Sequence, residues 1–128
     1  MIDIETLCTT PGGIVLSIGA VVFDPDANKP CLDKFYVNID SKDSEAAGLF
    51  RDPKVDKWWR NQSKEAKDAL KHNRQPLNAS MAAFLAFYNK NKCKRVWGHG
   101  RCFDPPILQY ASNLAELIKY GAQEDFYP

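Results

Sequence analysis

Two acidic side chains lie two positions apart near the start of the chain, in an otherwise apolar run. The stretch reads MIDIETL, with Asp3 and Glu5 among Ile2, Ile4 and Leu7. Side chains alternate between the faces of a β-strand, so both carboxylates would point the same way, with Cα atoms about 7 Å apart. Two such groups repel each other and resist desolvation. A pair of divalent cations, Mg²⁺ or Mn²⁺, would compensate them; a solvated acidic edge strand is the alternative.

A third acid, Asp104, separates a short apolar run from a helical pattern. It follows VWGHGRCF and precedes Pro105. We predict Asp104 to be the N-cap of the last helix, with Pro105 at the first helical position. An acid at the carboxyl end of a strand also lies where α/β folds bind their ligands.

The hydrophobic periodicity predicts an α/β fold with a mixed sheet. The strands are expected as an antiparallel meander, with the second strand central, followed by one further strand: residues 2–7, 14–23, 32–39 and 94–98. A helical pattern of apolar residues begins at Pro53, and three more helices are predicted: 64–72, 79–90 and 104 to about 120. Strands, helices, a strand and a helix in this order are typical of α/β domains.

Size and composition indicate one cytoplasmic domain. A chain of 128 residues is the length of a single domain with its own core. The net charge of +1 does not favour nucleic-acid or membrane binding, although it leaves room for a local basic patch. The sequence has neither an apolar run of about 20 residues nor a signal pattern at its start. Four cysteines without paired spacing indicate reduced thiols.

Basic residues form two clusters outside these motifs. One recurs at steps of four and three, and would form a stripe suited to phosphates if it lay on one continuous helix: Arg60, Lys64, Lys67, Lys71 and Arg74. Ser63 could instead cap a second helix and break the stripe, and a solvated charged face is the alternative. The second is predicted to be an exposed turn: Lys90, Lys92, Lys94 and Arg95. Trp58 and Trp59 are adjacent, so at most one can face the core fully. The other could pack under a loop, form part of an interface or stack on a base; core or interface is favoured, and Trp59 is the candidate for a substrate contact.

Three separated blocks resemble one nuclease superfamily. They are the first acidic motif with IVLSIGAVVFDP, KWWRNQSKEA at Lys57 to Ala66, and VWGHGRCFDPPIL at Val96 to Leu108. In this order they resemble the DEDD 3′–5′ exonuclease superfamily, which has an RNase H-like fold with a parallel strand beside the meander. The likeness is strongest to the phage and prophage branch of exodeoxyribonuclease VIII-like and RNase AS-like exonucleases.

The resemblance implies roles for particular residues. Asp3 and Glu5 would be the first two metal-binding acids and Asp104 the third, holding two Mg²⁺ or Mn²⁺ ions for phosphodiester hydrolysis. Substrate contacts at the 3′ end of DNA or RNA would come from three further positions: Thr6, Leu7 and His99.

The third motif of the superfamily, a His or Tyr followed by a fourth acid, has no clear counterpart. Tyr120 with Glu124 has the Tyr spacing but follows Asp104 without an intervening strand. The resemblance therefore implies a C-terminally truncated domain with impaired activity. A catalytically inactive remnant that binds nucleic acid or a protein partner, and a homo-oligomer that covers an exposed sheet face, are the alternatives.

Overall fold

In the part of the chain that the structure describes, a three-stranded sheet precedes five helices. The structure, a computed structural model, describes residues 1–27, 31–99 and 103–120, with side chains through Glu116. The elements in chain order are β1 (Ile2–Thr6), β2 (Val15–Val22), β3 (Asp33–Asn38), α1 (Ser41–Ala46), α2 (Pro53–Arg60), α3 (Lys64–Ala69), α4 (Leu77–Lys90) and α5 (Asp104–Tyr120). A mixed α/β fold is thereby confirmed.

The sheet is an antiparallel meander with β2 in the middle, as the sequence predicts. Ile4 of β1 pairs with Ile18 of β2, which pairs with Val37 of β3, and this row faces the core. The next row on the opposite face contains Asp3, Gly19 and Tyr36. Because the side-chain period of a strand is two, this register fixes which side chains share the second face.

The parallel strand expected at 94–98 is not formed, since this segment has no regular secondary structure. It touches β1 through one backbone bond, in which the Ile2 N–H donates to the Trp97 carbonyl (2.7 Å). The Ile4 N–H points to the same edge of β1, because alternate residues of a strand direct their N–H groups to one side. A side-chain oxygen of Asp104 accepts that bond, so it occupies a position that a strand carbonyl would otherwise take.

Helices α4 and α5 cover the core face of the sheet. Their buried positions include Met81 and Phe84 of α4 and, in α5, apolar residues at helical spacing: Ile107, Leu108, Ala111 and Ala115. Leu114 is half-buried against this core, and the side chain of Ile118 lies outside the described residues. Of the helices described, none is long and apolar enough to cross a membrane.

The short helices α1 to α3 lie between β3 and α4 in the chain. Asp40, Asp52 and Ser63 cap them by accepting backbone N–H groups of their first turns. Helix α1 was not expected, and α3 ends at Ala69 rather than at residue 72. Ser63 separates α2 from α3, so the condition for a basic stripe, one continuous helix, is not met.

The start of α4 is capped from a distant part of the chain. Pro76 precedes the helix and provides no side-chain cap, but the carboxylate of Asp43 accepts the N–H of Leu77 (2.7 Å). A charged acceptor at a helix N-terminus satisfies a free N–H and interacts favourably with the helix dipole.

We expect Asp43→Ala to lower the free energy of unfolding by about 1–2 kcal/mol, the usual cost of losing such a cap. Asp43→Asn, which keeps an acceptor oxygen, should recover much of that loss. Urea denaturation measures both. Asp68→Ala is the matched control, because its exposed pair with Lys71 (3.3 Å) contributes little. An equal, small loss in Asp43→Ala and Asp68→Ala would contradict the capping role.

Candidate functional site

Asp3 and Glu5 occupy the same face of β1, opposite the core. The burial of β1 alternates as a strand with one covered face requires: Ile2, Ile4 and Thr6 are buried, Asp3 is exposed and Glu5 is half-exposed. Across the ladder Asp3 pairs with Gly19, and Glu5 pairs with Ser17. The two carboxylates therefore stand side by side above a floor of small residues.

Asp104 joins this pair from the beginning of α5. Its carboxylate is 2% exposed and accepts the backbone N–H of Ile4, the residue between the two acids (3.1 Å). The prediction that Asp104 is an N-cap is not met, because Asp104 is itself the first helical residue and the Phe103 carbonyl accepts the N–H of Ile107. The hydrogen bond to β1, a hundred positions away in the chain, decides the orientation of this carboxylate instead.

The three acids interact electrostatically. Burial raises the pKa of Glu5 above its ordinary value, and the charges of Asp3 and then of Asp104 raise it further. Among the residues described, no Lys or Arg forms an ion pair with any of the three. Negative charge is thus concentrated around Asp3 and Glu5, and no cationic side chain among the described residues pairs with it.

A cleft of about 250 Å³ lies beside the carboxylates, between the sheet and the short helices. The sheet side is formed by Asp3, Glu5, Ser17, Gly19 and Tyr36, and the helical side by Trp59, Ala66, Ala69 and Leu70. Such a volume accommodates a small part of a ligand, about the size of a nucleotide base with its sugar.

Four hydrogen bonds hold the cleft together. The indole N–H of Trp59 donates to the carbonyl of Thr6 (2.8 Å), which fixes α2 against the end of β1. The Asn38 side-chain amide donates to the carbonyls of Ala69 and His72, and its oxygen accepts from the Tyr36 hydroxyl. These bonds tie α2 and the end of α3 to the sheet.

The remaining predicted site residues differ in their exposure to solvent. Thr6 and Leu7 are buried, with the Thr6 hydroxyl donating to the Cys8 carbonyl (2.6 Å), whereas His99 is exposed. Their roles as substrate contacts stay predictions. The side chain of Tyr120 and the whole of Glu124 lie outside the described residues.

The donor chemistry of the site suits hard divalent cations, which prefer carboxylate oxygens. In the described residues, however, no three His, Cys, Asp or Glu side chains are close enough together to ligate one ion as they stand. Asp3 and Glu5 make no side-chain hydrogen bond within the same residues and retain access to solvent, so both are free to reorient. The chemistry therefore fits, and ion binding would require these two side chains to turn towards Asp104.

Sequence reasoning missed the floor and far wall of the cleft: Ser17, Tyr36, Asn38, Ala66, Ala69 and Leu70. Gly19 alone gave a signal, since a glycine inside an apolar strand suggests the close approach of another group. The others depend on the register of three strands and on where α3 packs, and neither can be read from local patterns.

Comparison with known protein families gives one match, which covers almost the whole chain. Residues 1–126 match the 3′–5′ exoribonuclease Rv2179c-like domain, and the chain therefore belongs to this family. The match supports the DEDD-type exonuclease family that the motifs predict. The exodeoxyribonuclease VIII-like branch and the missing third motif stay predictions. No curated protein and no solved structure matched the chain.

Removal of the Glu5 charge should stabilise the fold in the absence of metal. A carboxyl group with a raised pKa binds its proton more tightly in the folded state, so stability falls as the pH rises through the unfolded and then the folded pKa. We expect Glu5→Gln to raise the free energy of unfolding at neutral pH by up to about 1 kcal/mol, since solvent screens a half-exposed charge. The gain should disappear below about pH 4, where both states are protonated.

Urea denaturation at several pH values, with a chelator present, measures this difference. Glu116→Gln, an exposed change on α5, should have no comparable effect. A loss of stability in Glu5→Gln at neutral pH would show that this carboxylate is held by a favourable partner rather than by repulsive neighbours.

Proposed function

We propose that this chain is a metal-dependent 3′–5′ exonuclease that hydrolyses phosphodiester bonds at the 3′ end of a nucleic acid, with RNA as the favoured substrate. Family membership supports the direction of cleavage and the ribonucleic substrate, because the matched domain is a 3′–5′ exoribonuclease-like domain. The sequence-based expectations of a cytoplasmic location and a homo-oligomer remain part of the proposal.

One observation carries the proposal. Asp104 bonds the backbone of Ile4, and Ile4 separates Asp3 from Glu5 in the chain. Three carboxylates from two distant segments are thereby brought to one end of one strand, beside a cleft. Concentrated negative charge costs stability, so a fold that assembles it is more readily explained by a cation ligand than by packing.

The proposed architecture is RNase H-like. The 94–98 segment runs beside β1 on the edge opposite β2, as the bond between Ile2 and Trp97 shows for one residue pair. In this proposal the segment takes the place of the parallel strand, and β1 becomes the central element between β2 and the segment.

All three acids would hold the cation, from two different elements. Asp3 and Glu5, which are accessible from the cleft, would hold Mg²⁺ or Mn²⁺ from the strand, and Asp104 would hold it from the helix. Between such carboxylates, the cation would lower the pKa of a water molecule and offset the negative charge on the leaving 3′ oxygen. Trp59 and Gly19 would bound the space for the terminal nucleotide.

A second function, binding without cleavage, is favoured by one feature. The described carboxylates do not converge on one ion-sized point. If the cation does not draw them together, the cleft would serve an inactive module that binds nucleic acid or a protein partner.

The Asp3→Asn variant separates these functions. With a 5′-labelled RNA and Mn²⁺, we expect the intact chain to shorten the RNA from its 3′ end, and Asp3→Asn to be at least about 100-fold slower. Loss of an outer-shell partner already costs about 10–100-fold, and a direct ligand should cost more. Chelation should abolish activity and Mn²⁺ should restore it.

Glu116→Gln is the matched control and should retain full activity, because it removes a carboxylate outside the cleft. A 3′-phosphorylated RNA tests whether the RNA is shortened from its 3′ end. Equal activity in Asp3→Asn and the unchanged chain would overturn the carboxylate mechanism, and salt-sensitive binding without turnover would favour the second function.

The floor of the cleft provides an independent test. A Cβ at Gly19 would lie 3.7 Å from the Asp3 carbonyl and 3.8 Å from the Tyr36 ring, both ordinary contact distances. Gly19→Ala should therefore leave the melting temperature unchanged. Gly19→Val adds two methyl groups beyond that Cβ, in a residue type that suits a strand, and its melting temperature checks that it still folds. It should slow cleavage about tenfold, equivalent to about 1.4 kcal/mol, by filling space next to Asp3.

The cleavage rate of Gly19→Ala should lie between those of the unchanged chain and Gly19→Val. Thermal unfolding and initial-rate measurements separate stability from activity. Full activity in Gly19→Val would mean that the substrate does not enter this cleft.

A further inference from the structure

A second depression lies at the end of the sheet where β1 begins and β2 ends. It has a volume of about 510 Å³ and is lined on the sheet side by Met1, Val21 and Phe23, and on the other by Trp97 and the segment from Asn91 to Arg95. We call it the end groove. It is larger than the carboxylate cleft and is not part of it.

The end groove continues the surface on which the carboxylates stand. Val21 lies two residues beyond Gly19 on β2, so it shares the face of Gly19. Met1 lies two residues before Asp3, next to the start of β1, and its carbonyl accepts the Val21 N–H. Two residues of a strand span about 7 Å. Stacked nucleotides are about 3.4 Å apart along one strand, so a nucleic acid with its end at Asp3 would reach the groove within a few nucleotides.

An aromatic pair forms one side of the groove. Trp97 is 51% exposed and contacts Phe23 edge-to-face, with ring centroids 6.0 Å apart. The indole is thus braced by a neighbouring ring while much of its surface remains in water. Exposed aromatic faces on which bases stack are the usual feature of single-strand binding surfaces, and each stacked base contributes about 1–3 kcal/mol.

Cations from the exposed turn after α4 line the same groove. Lys92, Lys94 and Arg95 are exposed and, among the residues described, form no ion pair. Lys90, by contrast, is paired with Asp33 (3.3 Å) and does not line the groove. The opposite wall carries Asp24 and Asp26, so the charge is divided between a basic and an acidic side.

We infer that the end groove binds the single-stranded nucleic acid upstream of its 3′ end, with a base stacked on Trp97 and phosphates beside Lys94 and Arg95. This inference rests on the proposed function, since the direction of the strand follows from cleavage at Asp3. The basic wall orients the phosphates, and Asp24 and Asp26 keep the backbone away from the other wall. The enzyme would therefore favour oligonucleotides over dinucleotides.

Binding is measured with the full chain and a chelator, using fluorescence anisotropy of a 5′-labelled RNA of about ten nucleotides, a length that such surfaces cover. We expect Trp97→Ala to weaken binding about tenfold, within the range of one lost stack. The Lys94→Gln and Arg95→Gln double variant should weaken it similarly and reduce the salt dependence by about two phosphate contacts.

Charge removal from the opposite wall should have the reverse effect. The Asp24→Asn and Asp26→Asn double variant should bind the same RNA a few-fold more tightly, since it removes repulsion of phosphates. Lys90→Gln is the matched control in the same turn and should bind normally. Melting temperatures should be unchanged in the cation variants, whose side chains are exposed, and a few degrees lower at most in Trp97→Ala, which loses its ring contact with Phe23.

Cleavage assays keep this inference separate from the proposed function. If the intact chain cleaves RNA, Trp97→Ala should slow cleavage of the longer RNA and leave cleavage of a dinucleotide unchanged. If the intact chain cleaves nothing but the variants still change binding in chelator, the proposed function fails and the end groove stands.

Three results would overturn the inference. They are an absence of RNA binding by the intact chain, unchanged affinity and salt dependence in both groove variants, and a lower light-scattering mass of Trp97→Ala with unchanged affinity. The last result would assign the groove to contact between copies of the chain.

Discussion

The hydrogen bond from the Ile4 N–H to the Asp104 carboxylate is the interaction on which the candidate site depends. It joins the first strand to the last described helix and fixes the third acid next to the other two. The bond also satisfies an edge N–H of β1 that the 94–98 segment does not reach, since that segment meets β1 through Ile2. One contact therefore closes the edge of the sheet and assembles the charged group.

That arrangement has an electrostatic cost. Asp104 is buried, Glu5 is half-buried with a raised pKa, and Asp3 adds a third charge at the same end of the strand. A structure selected for stability alone would place a Lys or Arg side chain beside the three acids or replace one acid, because a buried charge without a partner of opposite charge costs free energy. In the proposed function a divalent cation would offset this repulsion, so stability and activity would be linked through the same three side chains.

The sequence predicted those parts of the fold that local patterns determine. The three strands follow from apolar runs between turn residues, and α5 follows from the spacing of Ile107, Ala111 and Ala115. The first residue of α4 depends on a carboxylate 34 positions earlier, and the orientation of Asp104 on a backbone group 100 positions earlier. Local periodicity contains no information on such contacts. The residue types at 94–98 predicted a strand, but the structure shows one backbone bond to β1 there, while the next N–H on that edge, of Ile4, bonds Asp104.

The irregularity in the β1–β2 ladder explains why the cleft opens where it does. Glu5 pairs with Ser17 but Thr6 pairs with Val15, so Leu16 is an extra residue on β2. Such a bulge increases the local twist and turns the strand end away from its partner, and bulges are common beside active sites. Here the carbonyl of Thr6 accepts the Trp59 indole N–H, which anchors α2 beside Glu5. The anchored helix makes the acidic face of β1 one wall of a cleft rather than an open sheet surface.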